Sequence, residues 1–308
     1  MEYVLLTKNL TKRYGQLEAI SHVNLHIAPG DIYGLIGSNG AGKTTIIRVI
    51  TGLAHPTEGS YRLFGTDFDD PDIYQARRRV SAIVETPSLH QNLSAYDNLL
   101  IQCQQLGVVD CSIIEEILDV VGLGYLRHQP KKVKHFSMGM KQRLGIALTL
   151  IGNPDFILLD EPMNGLDPEG IVEIRELILR LNQERNITFL ISSHILGELS
   201  KIATKYGFIH HGNLIKEISA RQLQEECRKS TELTVDNVKR AAQVLETELN
   251  ITNYRILNEA IVRIYDEIDI TLVVTYFARA GILIRKIHNR DESIEEYYLN
   301  LMGGLRDA

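Results

Sequence analysis

The chain has 308 residues, of which 44% are hydrophobic and 23% charged, and its formal net charge is −6. This length fits two domains better than one, and the composition is that of a globular protein. The negative charge argues against a nucleic-acid partner, because such partners are held by Lys and Arg contacts to phosphate. The longest basic cluster, Arg77–Arg79, is interpreted as a solvated helix face.

The cysteine pattern and the distribution of apolar residues indicate the cellular location of the protein. The three Cys residues form no CxxC pair, which indicates a reducing, cytosolic environment. The N-terminus lacks a basic region followed by an apolar stretch, so no signal peptide is expected. A run of about eighteen apolar residues is also missing, so no membrane-spanning helix is predicted. We therefore expect any membrane role to come through a partner protein.

In chain order, the first two thirds of the sequence alternate between strand and helix patterns. The predicted strands are 1–10, 16–27, 31–37, 156–159 and 188–192, and the predicted helical stretches are 43–52, 95–126, 137–152 and 168–185. This alternation predicts an α/β fold with a largely parallel sheet core. An antiparallel β subdomain is expected at the front and an α-helical subdomain in the middle.

The character of the sequence changes after about residue 220. A charged helical segment, 219–230, is predicted to link a first domain at 1–218 to a small α+β domain at 231–308. The predicted strands there are 232–235, 254–257, 260–265 and 282–288, and the helices are 237–249, 270–280 and 292–301. The order β-α-β-β-α-β predicts a ferredoxin-like domain. Its role stays open between a ligand sensor and a module for dimerisation or packing.

The strongest local motif is a glycine-rich turn between a buried strand and a helix. Residues Gly37–Thr44 satisfy the P-loop pattern GxxxxGK(S/T). Backbone N–H groups of such a loop converge on phosphate oxygens, and the helix N-terminus adds positive potential. Lys43 is expected to reach the terminal phosphates, and the Thr44 hydroxyl to bind Mg²⁺. The residues expected to hold ATP here are Gly37, Ser38, Asn39, Gly40, Ala41, Gly42, Lys43, Thr44 and Thr45.

A second motif consists of four apolar residues, 156–159, followed by Asp160 and Glu161. A buried strand that ends in Asp places the carboxylate at the carboxyl edge of the sheet, where ligands bind in open α/β folds. Asp160 is therefore expected to hold Mg²⁺, and Glu161 to orient or deprotonate the attacking water. The combination predicts an ATPase.

Together with motifs further along the chain, these residues resemble the ABC (ATP-binding cassette) ATPases over about 4–212. Tyr14 resembles the aromatic residue that stacks on adenine. Ser137 and Gly139, within Phe-Ser-Met-Gly-Met-Lys-Gln-Arg, resemble the signature motif that contacts the γ-phosphate held by the opposite subunit. Asp167 in Gly-Leu-Asp resembles the D-loop, and His194 resembles the catalytic switch histidine.

The resemblance implies a partner arrangement. One chain carries one P-loop and one signature motif, so two composite sites require a second ATPase subunit, with a homodimer as the expectation. It also implies an integral membrane permease that the ATPase drives. The chain would then be cytoplasmic and peripheral on the inner face of the cell membrane.

The sequence departs from the usual ABC pattern at three positions. Glu85 stands where the family has Gln, beside the metal and the membrane-domain contact, so Glu85 is a candidate metal ligand and catalytic residue. A misalignment by one or two residues is the alternative. Met138 and Met140 replace the commoner Gly and Gln. With Glu85 and the sequence Phe-Ser-Met-Gly-Met-Lys-Gln-Arg, the chain is similar to the ATPases of bacitracin and lantibiotic exporters. This similarity suggests export of an antimicrobial peptide or drug.

The alternative function is a soluble ABC ATPase of DNA repair or translation. Repair members insert long coiled coils between the motor halves, and translation members carry two cassettes. The sequence predicts neither feature, which favours the transporter subunit.

Overall fold

The computed structural model describes residues 3–227, 229–266, 268–290 and 294–303. The chain divides into two units between Ala220 and Arg221, within the segment predicted as a linker. No helix in the described part of the chain has the length and apolar character needed to cross a membrane.

The first unit carries the sheet on which the P-loop is built. Its described strands are β1 (Leu5–Tyr14), β2 (Leu17–Val23), β3 (His26–Ile27), β4 (Ile32–Ile36), β5 (Glu58–Leu63), β6 (Thr66–Asp67), β7 (Val80–Ile83), β8 (Phe156–Asp160), β9 (Thr188–Ser193), β10 (Lys205–His210) and β11 (Asn213–Ser219). Its described α-helices are α1 (Lys43–Ile50), α2 (Ile73–Arg78), α3 (Ala95–Leu106), α4 (Ile113–Val120), α5 (Met138–Leu150), α6 (Pro168–Arg185) and α7 (Leu196–Leu199).

Parallel strands form the centre of this sheet, in the order β7-β8-β9-β4-β10. β11 pairs antiparallel with β10 and touches β2 through a single residue pair, Ser21 and Asn213. Beyond β2 the sheet continues as the antiparallel series β2-β1-β5-β6, with β3 paired to β1. The predicted parallel core and antiparallel subdomain are confirmed.

Burial explains why the central strands run through apolar sequence. Every residue of β4, β8 and β9 is buried, as expected for parallel strands that are covered on both faces. Helix α1 packs onto the sheet through Ile46, Ile47, Val49 and Ile50. Because α1 begins at Lys43, this packing fixes the end of the P-loop against the carboxyl edge of the strands.

The helical subdomain consists of α3, α4 and α5. The predicted stretch 95–126 is two helices, because the chain turns at Gly107 after a helix that begins with a capping box of Ser94 and Asp97. A 3₁₀ turn follows at Gly124–Leu126, and another at Val133–His135 precedes α5.

The second unit has the order of elements predicted for it. These are α8 (Ala220–Cys227), β12 (Ser230–Val235), α9 (Val238–Thr247), β13 (Tyr254–Ile256), β14 (Ile261–Ile264), α10 (Ile270–Arg279), β15 (Ile284–Arg290) and α11 (Ile294–Gly303). The strands form an antiparallel sheet in the order β13-β14-β12-β15, over a core that includes Leu233, Val262 and Phe277. Residues 292 and 293 of the predicted last helix lie outside the described residues. A ferredoxin-like classification stays a prediction.

A partly buried polar cluster connects β4 to the β10–β11 hairpin. The Tyr33 hydroxyl donates to Glu217 Oε1 at 3.0 Å, and Lys205 Nζ lies 3.0 Å from Glu217 Oε2. Burial, with the Glu217 charge adding to it, raises the pKa of Tyr33 well above its ordinary value. Tyr33 therefore stays a neutral donor, and the Tyr33 ring fills the space beside Gly207.

We expect Gly207→Ala to lower the free energy of unfolding by about 1–3 kcal/mol, the usual cost of overpacking. The new Cβ would fall on the Tyr33 hydroxyl and force the buried ring to move. Urea denaturation followed by circular dichroism measures the change. The control is Gly152→Ala, whose Cβ would lie 3.6 Å from Leu106 Cδ1, an ordinary contact. Equal stability of the two variants would contradict this packing argument.

Candidate functional site

The P-loop closes tightly over the ends of β10 and β2. Gly42 has φ of 107°, and a Cβ there would lie 2.6 Å from the carbonyl oxygen of Ala19. A Cβ at Gly37 would lie 2.5 Å from the carbonyl oxygen of Ile209. Only glycine fits at these two positions, so the loop can curl with its N–H groups toward one centre.

The P-loop lines an open cleft of about 430 Å³, which we name the P-loop cleft. This volume is typical of small-molecule sites. The predicted nucleotide ligands that line it are Tyr14, Asn39, Gly40, Ala41, Gly42, Lys43, Thr44 and Thr45. Gly37 and Ser38 contribute through their carbonyl oxygens, which accept hydrogen bonds from Lys43 Nζ at 2.7 and 3.2 Å.

Lys43 is the cation of the cleft, and its side chain is almost fully buried. Besides the two carbonyl contacts, Lys43 Nζ lies 3.1 Å from Glu161 Oε1. A buried ammonium held by carbonyl oxygens and a carboxylate provides positive charge in a region of low dielectric. This is the charge that anionic phosphates require.

Thr44 and Asp160 form the predicted metal pair. The Thr44 hydroxyl donates to Asp160 Oδ2 at 2.7 Å, and the Ser192 hydroxyl donates to Asp160 Oδ1 at 2.5 Å. Asp160 is only 3% exposed, and no Lys, Arg or His of the described residues forms an ion pair with it. A buried carboxylate without a cationic partner is costly. Together with the adjacent hydroxyl, it gives an all-oxygen donor set that fits Mg²⁺.

Glu161 is held in place by three contacts. Its backbone N–H donates to Ser192 Oγ at 3.0 Å, its Oε1 pairs with Lys43, and its Oε2 lies 2.8 Å from His194 Nδ1. The backbone adopts φ of 51°, which is unusual for Glu and is stabilised by these contacts. The structure thus brings Glu161, His194 and Lys43 together, as the sequence predicts.

The rim of the P-loop cleft carries Tyr14, which is 44% exposed. Lys12 Nζ lies 5.0 Å from the Tyr14 ring centroid, within cation–π range. Glu18 also lines the rim, and hydrogen bonds from Ser21 and Arg13 lower the pKa of its carboxyl group. An exposed aromatic ring at the mouth of a phosphate-binding cleft is placed to stack on a base.

The remaining predicted nucleotide ligands lie in a second cleft of about 440 Å³, which we name the signature cleft. Ser137 caps α5 by accepting from Met140 N–H at 3.2 Å, and Asp167 caps α6 by accepting from Gly170 N–H at 3.0 Å. Both helix N-termini and Gly139 line this cleft. It shares no lining residue with the P-loop cleft. The predicted ligands are therefore divided between two surfaces of one chain.

Glu85 is not brought to the metal pair, contrary to its expected position. Its carboxylate lies 2.5 Å from the Arg48 guanidinium, and its side chain is 63% exposed. No described hydrogen bond or ion pair joins Glu85 to Thr44, Asp160 or Glu161. The loop after β7 carries Glu85 outward to α1, so this geometry does not support the predicted metal and catalytic roles.

Sequence reasoning missed several residues of the site. Ser192 bridges Asp160 and Glu161, and the other omissions line the P-loop cleft: Leu17, Glu18, Ala19, His211 and Gly212. The position of Ser192, at the end of the strand beside β8, was a usable signal. His211 and Gly212 had no such signal in the sequence. They form the turn between β10 and β11, which reaches the P-loop only in the folded sheet, where Gly212 N–H donates to Ala41 O at 3.0 Å.

Comparison with known proteins identifies the family. The family model described as "ABC transporter" matches residues 20–164. The bacitracin transport ATP-binding protein BcrA of Enterococcus faecalis is 42% identical over 99% of this chain and 98% of its own length. The chain belongs to the ABC transporter ATP-binding proteins. The lantibiotic transport ATP-binding protein SrtF of Streptococcus pyogenes is 46% identical, covering 70% of this chain and 90% of that protein.

Solved structures of similar fold include one with the products of ATP hydrolysis bound. The ATP-binding cassette MJ0796, in a dimeric post-hydrolysis state with ADP and Pi, is 26% identical with a TM-score of 0.62. The match covers 70% of this chain and 99% of MJ0796. This chain is thus an ATP-binding subunit of an ABC transporter and an ATPase.

We expect Ser192→Ala to lower kcat about tenfold, because Asp160 and the Glu161 backbone lose the hydroxyl that aligns them. Unfolding free energy should fall by about 1.5–3 kcal/mol, the usual cost of removing a buried hydrogen bond to a charged group. Phosphate release and urea denaturation measure the two effects. Ser200→Ala, which loses one local bond to the Gly197 carbonyl, is the control and should keep full activity. Full activity of Ser192→Ala would remove Ser192 from the site.

Proposed function

We propose that this chain is the motor subunit of an exporter of antimicrobial peptides, working as a homodimer on a separate membrane permease. The division of the nucleotide ligands between the P-loop cleft and the signature cleft carries this proposal. Two copies in head-to-tail contact would join each P-loop cleft to the partner's signature cleft. ATP would then hold the dimer together, and hydrolysis would release it.

The residues of the P-loop cleft fit a hydrolysis mechanism. Lys43 and the P-loop N–H groups bind the β- and γ-phosphates. Thr44 and Asp160 would hold Mg²⁺, which would supply positive charge against the phosphates. Glu161 accepts a proton from, or orients, the attacking water, and His194 fixes the Glu161 carboxylate through its Oε2 contact.

The signature cleft supplies the second half of the site. The N-terminus of α5, at Ser137 and Gly139, offers free N–H groups and positive potential to a γ-phosphate. Asp167 lies in the same cleft, at the N-terminus of α6. Both helices are fixed at their starts by side-chain caps, so the half-site is preorganised.

A third cleft supports the permease as partner. It has about 350 Å³ and lies between the loop after β7, which includes Thr86 and Pro87, and helices α3 and α5. Leu53, 70% exposed, stands at its edge. A helix of another protein that entered this cleft would cover the exposed Leu53 side chain. The Glu85–Arg48 pair connects this loop to α1, the helix that begins at the P-loop.

The cargo is proposed from relatives over the full length of the chain. BcrA of Enterococcus faecalis and BcrA of Bacillus licheniformis are both bacitracin transport ATP-binding proteins, and both cover 99% of this chain. Their coverage includes the second unit, which a match to the ATPase unit alone would leave out. A cytoplasmic location at the membrane face follows from a permease partner.

The decisive experiment is affinity purification of the tagged chain from detergent-solubilised membranes of its host, followed by mass spectrometry. A multi-span membrane protein in near-equal amount is expected. Deletion of that permease should lower the minimal inhibitory concentration of bacitracin or a lantibiotic. Recovery with ribosomes or DNA-repair proteins instead would overturn the transport proposal and leave the ATPase unaffected.

We expect Glu161→Gln to bind MgATP while hydrolysing it about 100-fold more slowly, because the amide cannot accept the proton of water. The variant should accumulate as an ATP-bound dimer, which light scattering measures as a doubled mass. Lys43→Ala is the control and should remain monomeric in MgATP, because its phosphate cation is gone. Unchanged turnover of Glu161→Gln, or dimers of Lys43→Ala, would contradict these roles.

A further inference from the structure

An ion pair outside both nucleotide clefts joins helices α6 and α7. Arg175 Nη1, in α6, lies 3.3 Å from Glu198 Oε2, in α7. The two side chains are only 19% and 23% exposed, so solvent screens the pair less than it screens most surface pairs.

Each of these helices begins beside one of the two half-sites. Helix α6 starts directly after Asp167, whose carboxylate lies in the signature cleft. Helix α7 starts two residues after His194, whose Nδ1 contacts Glu161 in the P-loop cleft. The Arg175–Glu198 pair therefore links an element of one half-site to an element of the other within a single chain.

The connections on both sides of this pair are short and stiff. Arg175 is eight residues along a continuous helix from its cap at Asp167, which is about 12 Å of rigid rod. On the other side, Ile195 N–H donates to Ser193 Oγ at 2.9 Å, and Leu199 is fully buried. The backbone on both sides is therefore held in place, and the contact between Arg175 and Glu198 is the link through which a displacement of the α6 N-terminus would reach His194.

We propose that Arg175 and Glu198 are positioning residues that couple occupation of the signature cleft to the placement of His194 on Glu161. The inference rests on the proposed roles of Glu161 and His194 in hydrolysis. When a partner's nucleotide fills the signature cleft, the α6 N-terminus is drawn to it, and the ion pair carries α7 and His194 along. Hydrolysis would then be fastest when both half-sites are engaged.

The local charges make the pair testable without losing the fold. Glu198 uses its second oxygen for Lys201, whose Nζ lies 2.9 Å from Oε1. Removal of Arg175 therefore leaves Glu198 with a cationic partner three residues further along the chain and avoids an unpaired, partly buried charge. Arg175→Lys keeps the positive charge that faces Glu198.

The test compares Arg175→Gln, Arg175→Lys and the matched control Arg62→Gln. The control removes the same charge from an exposed pair with Asp67, 2.7 Å long, in the antiparallel subdomain. We expect Arg175→Gln to lower kcat about fivefold with KM and MgATP affinity unchanged. Arg175→Lys should recover at least half of the rate, and Arg62→Gln should match the unmodified chain.

Three results would overturn the proposal: equal kcat for Arg175→Gln and Arg62→Gln, a rise in KM that accounts for the lost rate, or equal losses in Arg175→Gln and Arg175→Lys together with a lower Tm. His194→Ala, measured in parallel, separates the two levels of inference. If His194→Ala hydrolyses ATP at the normal rate, the proposed role of His194 fails. If it is slow while Arg175→Gln is normal, only the coupling fails.

Discussion

The arrangement of the site depends on one buried carboxylate. Asp160 accepts hydrogen bonds from Thr44, at the start of the P-loop helix, and from Ser192, on the neighbouring strand. Because the same Ser192 hydroxyl accepts from the Glu161 backbone, one acidic group aligns the P-loop helix, the strand end and Glu161, the proposed general base. A buried carboxylate must be compensated by hydrogen bonds or a cation. That requirement determines which side chains can surround it.

The second constraint is that the P-loop cleft and the signature cleft of one chain are separate surfaces. The P-loop and Asp160 lie at the carboxyl edge of parallel strands, whereas Ser137 and Asp167 cap helices that open into a different cleft. Neither surface by itself offers both Lys43 and the capped N-terminus of α5 to one phosphate chain. In the proposed homodimer, this division would make catalysis depend on association and association on ATP, so that chemical energy is converted into relative motion.

Much of the site was predictable because its residues are local in sequence. The P-loop and Asp160 each directly follow or end an apolar strand in the sequence. The sequence therefore shows both the polar groups and the strand end at which they lie. For Glu85, local sequence predicted the wrong contact. Its position in the chain indicated the metal, but the loop after β7 turns its carboxylate outward to Arg48, 37 residues away. His211 was missed for a similar reason, since a hairpin turn brings it to the site, whereas Ser192 stands at the end of a predicted strand.

The sequence by itself determined the family, the P-loop, the alternation of strands and helices and the order of elements in the second unit. These features follow from short-range patterns in the sequence, namely hydrophobic periodicity, glycine spacing and helix caps. The tertiary structure decided which predicted ligands share a cleft, that Ser192 bridges the Asp160 carboxylate and the Glu161 backbone, that Glu85 pairs with Arg48, and that Arg175 meets Glu198. Each of these depends on strand order and helix packing, which bring together residues that no local pattern relates.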